Sequence, residues 1–145
     1  MARTGLAVFA TVAYLAALIA LWGILSVIVD RDVIDYVDAG PLLGPSMVIA
    51  ALLVTFASVR TVTIAPRPAR VVVGAAVLAF VAMLLVGAVG YSITRGDFGW
   101  IPAATVHFAL APFVPGAAVL SAVVVAASKA VSGRPPDGRS ESGII

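Results

Sequence analysis

Four long apolar stretches fill most of this chain and constrain its fold more than any other feature. They cover residues 5–29, 46–64, 71–93 and 101–127. A helix rises about 1.5 Å per residue, so each stretch is long enough to cross a hydrocarbon layer of about 30 Å. The 145-residue chain is 62% hydrophobic and 11% charged, whereas soluble domains average about 45–50% and about 25%. The sequence therefore predicts an all-α integral membrane four-helix bundle over residues 1–131.

Composition also argues against several other classes of protein. The net charge is only +2, and the basic residues are spread over several loops, so no basic face for nucleic acid is expected. The chain has no cysteine, which excludes thiol redox chemistry and thiolate metal sites. The first apolar stretch is longer than the 7–15 residues typical of a signal-peptide core, so it is predicted to be a retained helix.

Basic residues are distributed unequally between the two sides of the predicted bundle. One side holds seven of them: Arg3, Arg60, Arg67, Arg70, Lys129, Arg134 and Arg139. The other side holds only Arg31 and Arg95. Short loops rich in Lys and Arg stay in the cytoplasm, so both termini are predicted to be cytoplasmic.

Two segments outside the apolar stretches have their own pattern. In the first outer loop, about residues 30–45, Asp32, Asp35 and Asp38 recur every three residues and would share one face of a helix. A short amphipathic helix on the outer membrane surface is expected there. The segment 132–145 is polar and rich in Pro and Gly, which predicts a disordered cytoplasmic tail.

The fourth stretch contains the chain's single histidine and two prolines. His107 would share a helix face with Ala103, Ala104, Leu110 and Ala111 and is expected to point into the bundle. Pro112 and Pro115 lack the N–H group that a helix needs, so the helix should bend or break between Ala111 and Gly116. A polar group beside a broken helix can mark a transport site, but such sites usually hold several polar groups, so a structural histidine bonded to a backbone carbonyl or a hydroxyl is the favoured interpretation.

Small residues form two ridges that could bring helices close together. The first has four-residue spacing in the fourth stretch and comprises Ala118, Ala122, Ala126 and Ala130. The second lies in the third stretch and comprises Ala75, Ala79 and Gly87, with Met83 between them. Such ridges pack helices within one bundle or form a contact with a partner protein or a second copy.

No group of residues capable of catalysis can be assembled from the sequence. There is no Ser/His/Asp triad, no pair of carboxylates within the apolar stretches and no Gly-rich phosphate loop. His107 has no evident second axial ligand for haem, and the outer-loop aspartates lack the Gly and Glu of a calcium-binding loop. We therefore expect no enzyme activity, no metal and no cofactor.

The segment from Leu21-Trp22-Gly23 to Leu42-Leu43-Gly44-Pro45 resembles small four-helix integral membrane proteins of high-GC actinobacteria that carry only a domain-of-unknown-function label. One Lys against eight Arg, with abundant Ala, Val and Gly, fits such a genome. The resemblance implies the plasma membrane of a bacterium and no assigned activity.

These features favour a non-enzymatic accessory or scaffold protein that binds another membrane protein through small-residue helix faces. The alternative is an oligomeric channel or transporter for a small solute, lined by His107 and the broken fourth helix. The apolar stretches contain no Asp or Glu to couple ions, which favours the first hypothesis.

Overall fold

The computed structural model describes residues 3–30 and 39–133, and within these ranges it contains helices and no strand. The five α-helices are α1 (Arg3–Val29), α2 (Leu43–Val62), α3 (Pro68–Arg95), α4 (Ile101–Leu110) and α5 (Phe113–Ser132). A 3₁₀ turn at Phe98–Trp100 precedes α4. Helices α1, α2, α3 and α5 are long and apolar enough to cross a membrane. The predicted all-α class is confirmed.

Two predicted segments fall outside the described residues. The amphipathic helix with Asp32, Asp35 and Asp38 belongs to residues 31–38, and the polar tail belongs almost entirely to residues 134–145. Both stay predictions.

Prolines mark the first turns of two helices, and a glycine in the left-handed conformation marks the end of α3. α2 begins at Leu43 and α3 at Pro68, so Pro45 and Pro68 both lie in a first turn, where a missing N–H costs nothing. Gly96 ends α3 with a φ of 68°, a conformation that glycine adopts without strain. The turn after it is closed by Asp97, whose carboxylate accepts the backbone N–H of Gly99 at 2.8 Å.

Helix α3 is the central element of the bundle. It packs against α2, α4 and α5, whereas α1 packs against α2 and α5 only. The predicted ridge on α3 is buried along its whole length: Ala75, Ala79, Met83 and Gly87 all lie in the interior. This ridge therefore packs the helices of one chain against each other.

One end of the bundle is closed by the ends of four helices. A hydrophobic cluster joins Ala7 of α1, Val59 and Val62 of α2, Ala75 of α3 and Val125 of α5. At the same end the Lys129 ammonium donates to the carbonyl of Thr63 at 3.4 Å. The start of α1 and the end of α5 are thus neighbours. We call this the basic end, because it carries every described Lys or Arg except Arg95.

The predicted ridge on α5 turns gradually out of the core. Ala118 is buried and Ala122 is half-buried, but Ala126 and Ala130 are exposed. A four-residue step in a helix of 3.6 residues per turn advances about 40° beyond a full turn, so positions four apart drift around the helix. The buried face instead combines steps of four with a step of three, through Ala117, Ser121, Val125 and Ser128. The second half of this ridge therefore does not pack inside the described bundle, and its contact with a partner or a second copy stays a prediction.

Gly87 lets three helices meet closely. A Cβ atom at this position would lie 3.1 Å from Cδ2 of Phe108 in α4 and 3.2 Å from Sδ of Met47 in α2. Gly74, on the same helix, has no atom within 4 Å of such a Cβ. The two glycines thus differ in the space around them, although both lie in the middle of α3.

We expect Gly87→Leu to destabilise the fold by about 1–3 kcal/mol, since a side chain there must displace Phe108 and Met47. Gly74→Leu adds the same side chain to the same helix in open space and should change the free energy of unfolding by less than about 0.5 kcal/mol. Unfolding by sodium dodecyl sulfate in mixed micelles measures both. Equal stabilities would show that the Gly87 contact does not limit packing.

Candidate functional site

The fourth apolar stretch is broken between α4 and α5. Ala111 has φ −69° and ψ 131°, an extended conformation, and separates the last residue of α4, Leu110, from the first residue of α5, Phe113. The N–H of Ala111 donates to the carbonyl of His107 at 3.0 Å, and the N–H of Gly116 donates to the carbonyl of Pro112 at 3.0 Å. The interruption predicted between Ala111 and Gly116 is confirmed.

Pro112 accounts for this break, and Pro115 does not. Pro112 offers no N–H to the carbonyl of Phe108, and its ring disfavours the helical conformation at the preceding Ala111. Pro115 is the third residue of α5. The first turn of a helix has no intrahelical partner for its N–H groups, so the missing N–H of Pro115 removes no bond. The prediction that both prolines cause the bend was therefore wrong for Pro115, and Pro112 alone removes a helical hydrogen bond.

His107 lies at the border of the core rather than at its centre. Its side chain is half-buried, and its ring meets that of Phe108 edge to face with centroids 5.7 Å apart. The fully buried residues of α4 are Ala104 and Phe108. Leu110, which was expected to share the inward face, is 80% exposed.

Helix α1 supplies two side-chain donors to the first turns of α5. The indole N–H of Trp22 donates to the carbonyl of Phe113 at 3.0 Å, and the two rings meet edge to face at 6.5 Å. The hydroxyl of Tyr14 donates to the carbonyl of Ala117 at 3.1 Å. Leu21 of α1 lies 3.3 Å from where a Cβ on Gly116 would be, so the two helices are in close contact. Trp22 thus packs between α1 and α5.

A second polar group joins three helices in the middle of the bundle. Thr55 of α2 and Ser121 of α5 are fully buried, and their hydroxyl oxygens are 2.8 Å apart. Thr55 also donates to the carbonyl of Ala51 at 2.8 Å, so its oxygen is left to accept the proton of Ser121. The Tyr14 hydroxyl of α1 donates to the carbonyl of Ala117, one helical turn before Ser121 on α5. We call Tyr14, Thr55 and Ser121 the central hydroxyl group.

Sequence analysis did not single out Tyr14 or Ser121. A tyrosine in the middle of an apolar stretch was nevertheless a usable signal, since a buried phenol almost always has a hydrogen-bond partner. Ser121 lies one residue before Ala122, so it does not belong to the predicted row of small residues at four-residue spacing.

Opposite the basic end, Arg95 is held between two aromatic rings. Its guanidinium lies 4.4 Å from the centroid of Trp100 and donates to the hydroxyl of Tyr91 at 2.8 Å. The Tyr91 and Trp100 rings meet edge to face at 6.5 Å. Amphipathic rings with a charged partner are typical of a membrane–water interface.

The space around the helix break is too small for a substrate. The enclosed cavity there measures about 10 Å³ and is lined by Trp22, Gly44, Met47, Phe108, Ala111, Phe113 and Val114. One water needs about 10–15 Å³. Residues 3–30 and 39–133 contain no group of three His, Asp or Glu side chains that could hold a metal ion. The broken helix and the central hydroxyl group thus form a packed structural site.

Comparison with known proteins gives one result. Residues 2–142 match a family described as "Family of unknown function (DUF6121)". The chain belongs to the DUF6121 family. No curated protein and no solved structure matches the chain. The resemblance to proteins of unknown function is therefore confirmed over nearly the whole of this DUF6121 member, well beyond the segment from Leu21 to Pro45 that first indicated it. The actinobacterial source stays a prediction.

In this DUF6121 chain we expect Pro112→Ala to straighten the junction of α4 and α5 in part, because the carbonyl of Phe108 regains its N–H partner while Pro115 still offers none to the carbonyl of Ala111. Spin labels on cysteines at the exposed positions Ala103 and Val123 would report the change. A continuous helix separates these backbone positions by about 30 Å, and the distance in the unaltered chain should be shorter.

Pro115→Ala is the matched control for this measurement. It makes the same Pro-to-Ala substitution within the first turn of α5, so the distance between the two spin labels should not change. An equal lengthening in both variants would contradict the assignment of the break to Pro112.

We expect Thr55→Val to lower the free energy of unfolding by roughly 0.5–2 kcal/mol, because Ser121 loses its partner in the interior. Thr11→Val is the control, since the Thr11 hydroxyl donates only within its own helix, to Ala7 at 2.7 Å. The double variant Thr55→Val/Ser121→Ala should be less destabilised than the sum of its single variants. Strict additivity would show that the two hydroxyls do not support each other.

Proposed function

We propose that this DUF6121 protein is a multi-pass protein of a bacterial plasma membrane that acts, without catalysis, as an accessory or scaffold component for another membrane protein. The observation that supports this proposal most is the outer face of α1. This helix is the least buried of the four long helices, and it exposes small residues at spacings of three, four and three: Ala13, Ala16, Ala20 and Gly23.

Small exposed residues fit a helix partner better than they fit lipid. Lipid gives no hydrophobic drive for helix association, so interfaces between membrane helices are rich in Gly and Ala, which let backbones approach closely. The ridge on α3 is already used inside the bundle. The face of α1, with Ala126 and Ala130 of α5, is what is left for a partner.

The alternative, a channel or transporter lined by His107, has no specific observation in its favour. His107 borders the core beside Phe108, and the enclosed cavity at the helix break measures about 10 Å³. The central hydroxyls bond to each other and to backbone carbonyls. A solute path requires an open lining of polar groups that face water.

Charge supports the proposed orientation. Arg3, Arg60, Arg67, Arg70 and Lys129 lie at the basic end, and both described acids, Asp30 and Asp97, follow helix ends on the opposite side. By the positive-inside rule the basic end, and with it both termini, faces the cytoplasm. The lipid bilayer is then the first partner of the exposed apolar surface.

Photo-crosslinking in native membranes tests the function. A photoreactive residue at Ala20 should give an adduct with a second membrane protein, whereas the same residue at Val77, 55% exposed on α3, should not. Ala16→Leu should lower the adduct yield, since a large side chain keeps the partner backbone away. Val12→Leu, at a position already large and 61% exposed, should leave the yield unchanged.

Two outcomes of this experiment would contradict the proposal. An adduct of twice the chain's own mass would identify a second copy instead of a separate partner. An adduct that persists unchanged in the Ala16→Leu variant would show that the small residues of α1 do not form the contact.

A further inference from the structure

An open groove of about 690 Å³ runs between α2 and α3 on the outside of the bundle. On α3 it extends from Arg70 to Leu85, about 22 Å along the helix at 1.5 Å per residue. One leaflet of a bilayer contributes about 15 Å of hydrocarbon, half of the full thickness of about 30 Å. The groove is thus long enough for an acyl chain of one leaflet and for a headgroup at its end.

The walls of the groove are apolar, and its floor consists of small residues. Leu53, Leu78 and Leu85 form rims that are 65%, 58% and 60% exposed. Between them lie Gly74, whose Cβ position meets no atom within 4 Å, and Ala75, which is 1% exposed. Large side chains at the rims and small residues on the floor leave an apolar furrow that suits a flexible hydrocarbon chain.

The two ends of the groove differ in polarity. Only its end near the start of α3 contains polar side chains, namely Ser58, Thr61 and Arg70. Ser58 is 8% exposed and lines the groove. This is also the basic end of the bundle, where the described residues include five Lys or Arg and no Asp or Glu.

We propose that this groove binds an anionic phospholipid from the leaflet at the basic end, with its phosphate at Arg70 and one acyl chain between α2 and α3. A guanidinium offers several donors that match phosphate oxygens. Basic pockets between membrane helices on the cytoplasmic side are known to take anionic headgroups. The excess of positive charge among the described residues of this end selects such a lipid over a zwitterionic one, and the apolar furrow selects a lipid over free phosphate.

This site goes beyond the proposed scaffold function and does not depend on it. The groove lies on α2 and α3, whereas the proposed protein contact lies on α1. A lipid measurement on the purified chain needs no protein partner, so either proposal can fail without the other.

Native mass spectrometry of the full chain released from detergent measures the site directly. The unaltered protein should bind phosphatidylglycerol more tightly than phosphatidylcholine. Arg70→Gln should weaken phosphatidylglycerol binding about fivefold and remove the preference. Arg67→Gln also removes one positive charge, three residues before Arg70, but Arg67 does not line the groove. This variant should have a clearly smaller effect.

A second pair of variants tests the acyl position. Gly74→Leu places a side chain in the furrow from a Cβ position that has no atom within 4 Å, so the protein should fold and lose both lipids. Gly23→Leu makes the same exchange on α1, where nothing lies within 4 Å of the added Cβ either, and it should bind as the unaltered chain does. Stability of both variants in mixed micelles confirms that they are folded.

Several results would overturn the lipid site. Equal binding of the two lipids would show that the groove does not select an anionic headgroup. Equal losses of binding in Arg70→Gln and Arg67→Gln would show that the net charge of this end, and not a contact at Arg70, attracts the lipid. Unchanged lipid binding in a folded Gly74→Leu variant would show that the acyl chain does not lie in the groove. Competition by glycerol phosphate at the concentration of the lipid would show a site for free phosphate. A photo-crosslink from Leu78 to a protein in native membranes would assign the groove to a partner helix.

Discussion

The pairing of backbone and side-chain polar groups in an apolar interior governs the rest of this structure. Pro112 removes one N–H from the chain and turns Ala111 out of the helix. Where water is excluded, such a break persists only if the neighbouring polar groups have partners in the protein. Helix α1 contacts the segment that follows the break, where Trp22 and Tyr14 donate to carbonyls in the first turns of α5. The position of α1 against α5 follows from these bonds.

The same requirement explains why the middle of the bundle is closed. The hydroxyls of Thr55 and Ser121 bond to each other, and Tyr14 reaches a carbonyl of α5. Each of these groups would cost free energy if it were buried alone. Together they specify one register of α1, α2 and α5. Bonds of this kind between membrane helices contribute on average about 0.6 kcal/mol, so their main effect is to select an arrangement rather than to supply most of its stability.

Sequence reasoning predicted features that depend on local chemistry. Helix class, the turn after Gly96 and the break at Pro112 all follow from residues next to each other in the chain. Partners of Tyr14 and Ser121 could not be predicted, since they depend on helix rotation, and an Ala-rich sequence offers several nearly equal faces. Ala126 illustrates this limit: its four-residue spacing from Ala122 matched a packing ridge, whereas the angular drift of such spacing leaves it exposed.

Small residues consequently have three different roles in one chain. In α3, Gly87 admits Phe108 and Met47 into the interior, while Gly74 of the same helix opens a furrow on the outside. In α1, Ala16 and Ala20 face outward with no element of the described chain covering them. Packing density distinguishes these roles, because a small residue inside a filled core fixes distances and a small residue on the surface leaves room. The room left on α1 lies over Ala and Gly, which let the backbone of a partner helix approach. The room left between α2 and α3 is narrow and ends at Arg70, which is why lipid and protein are assigned to different faces.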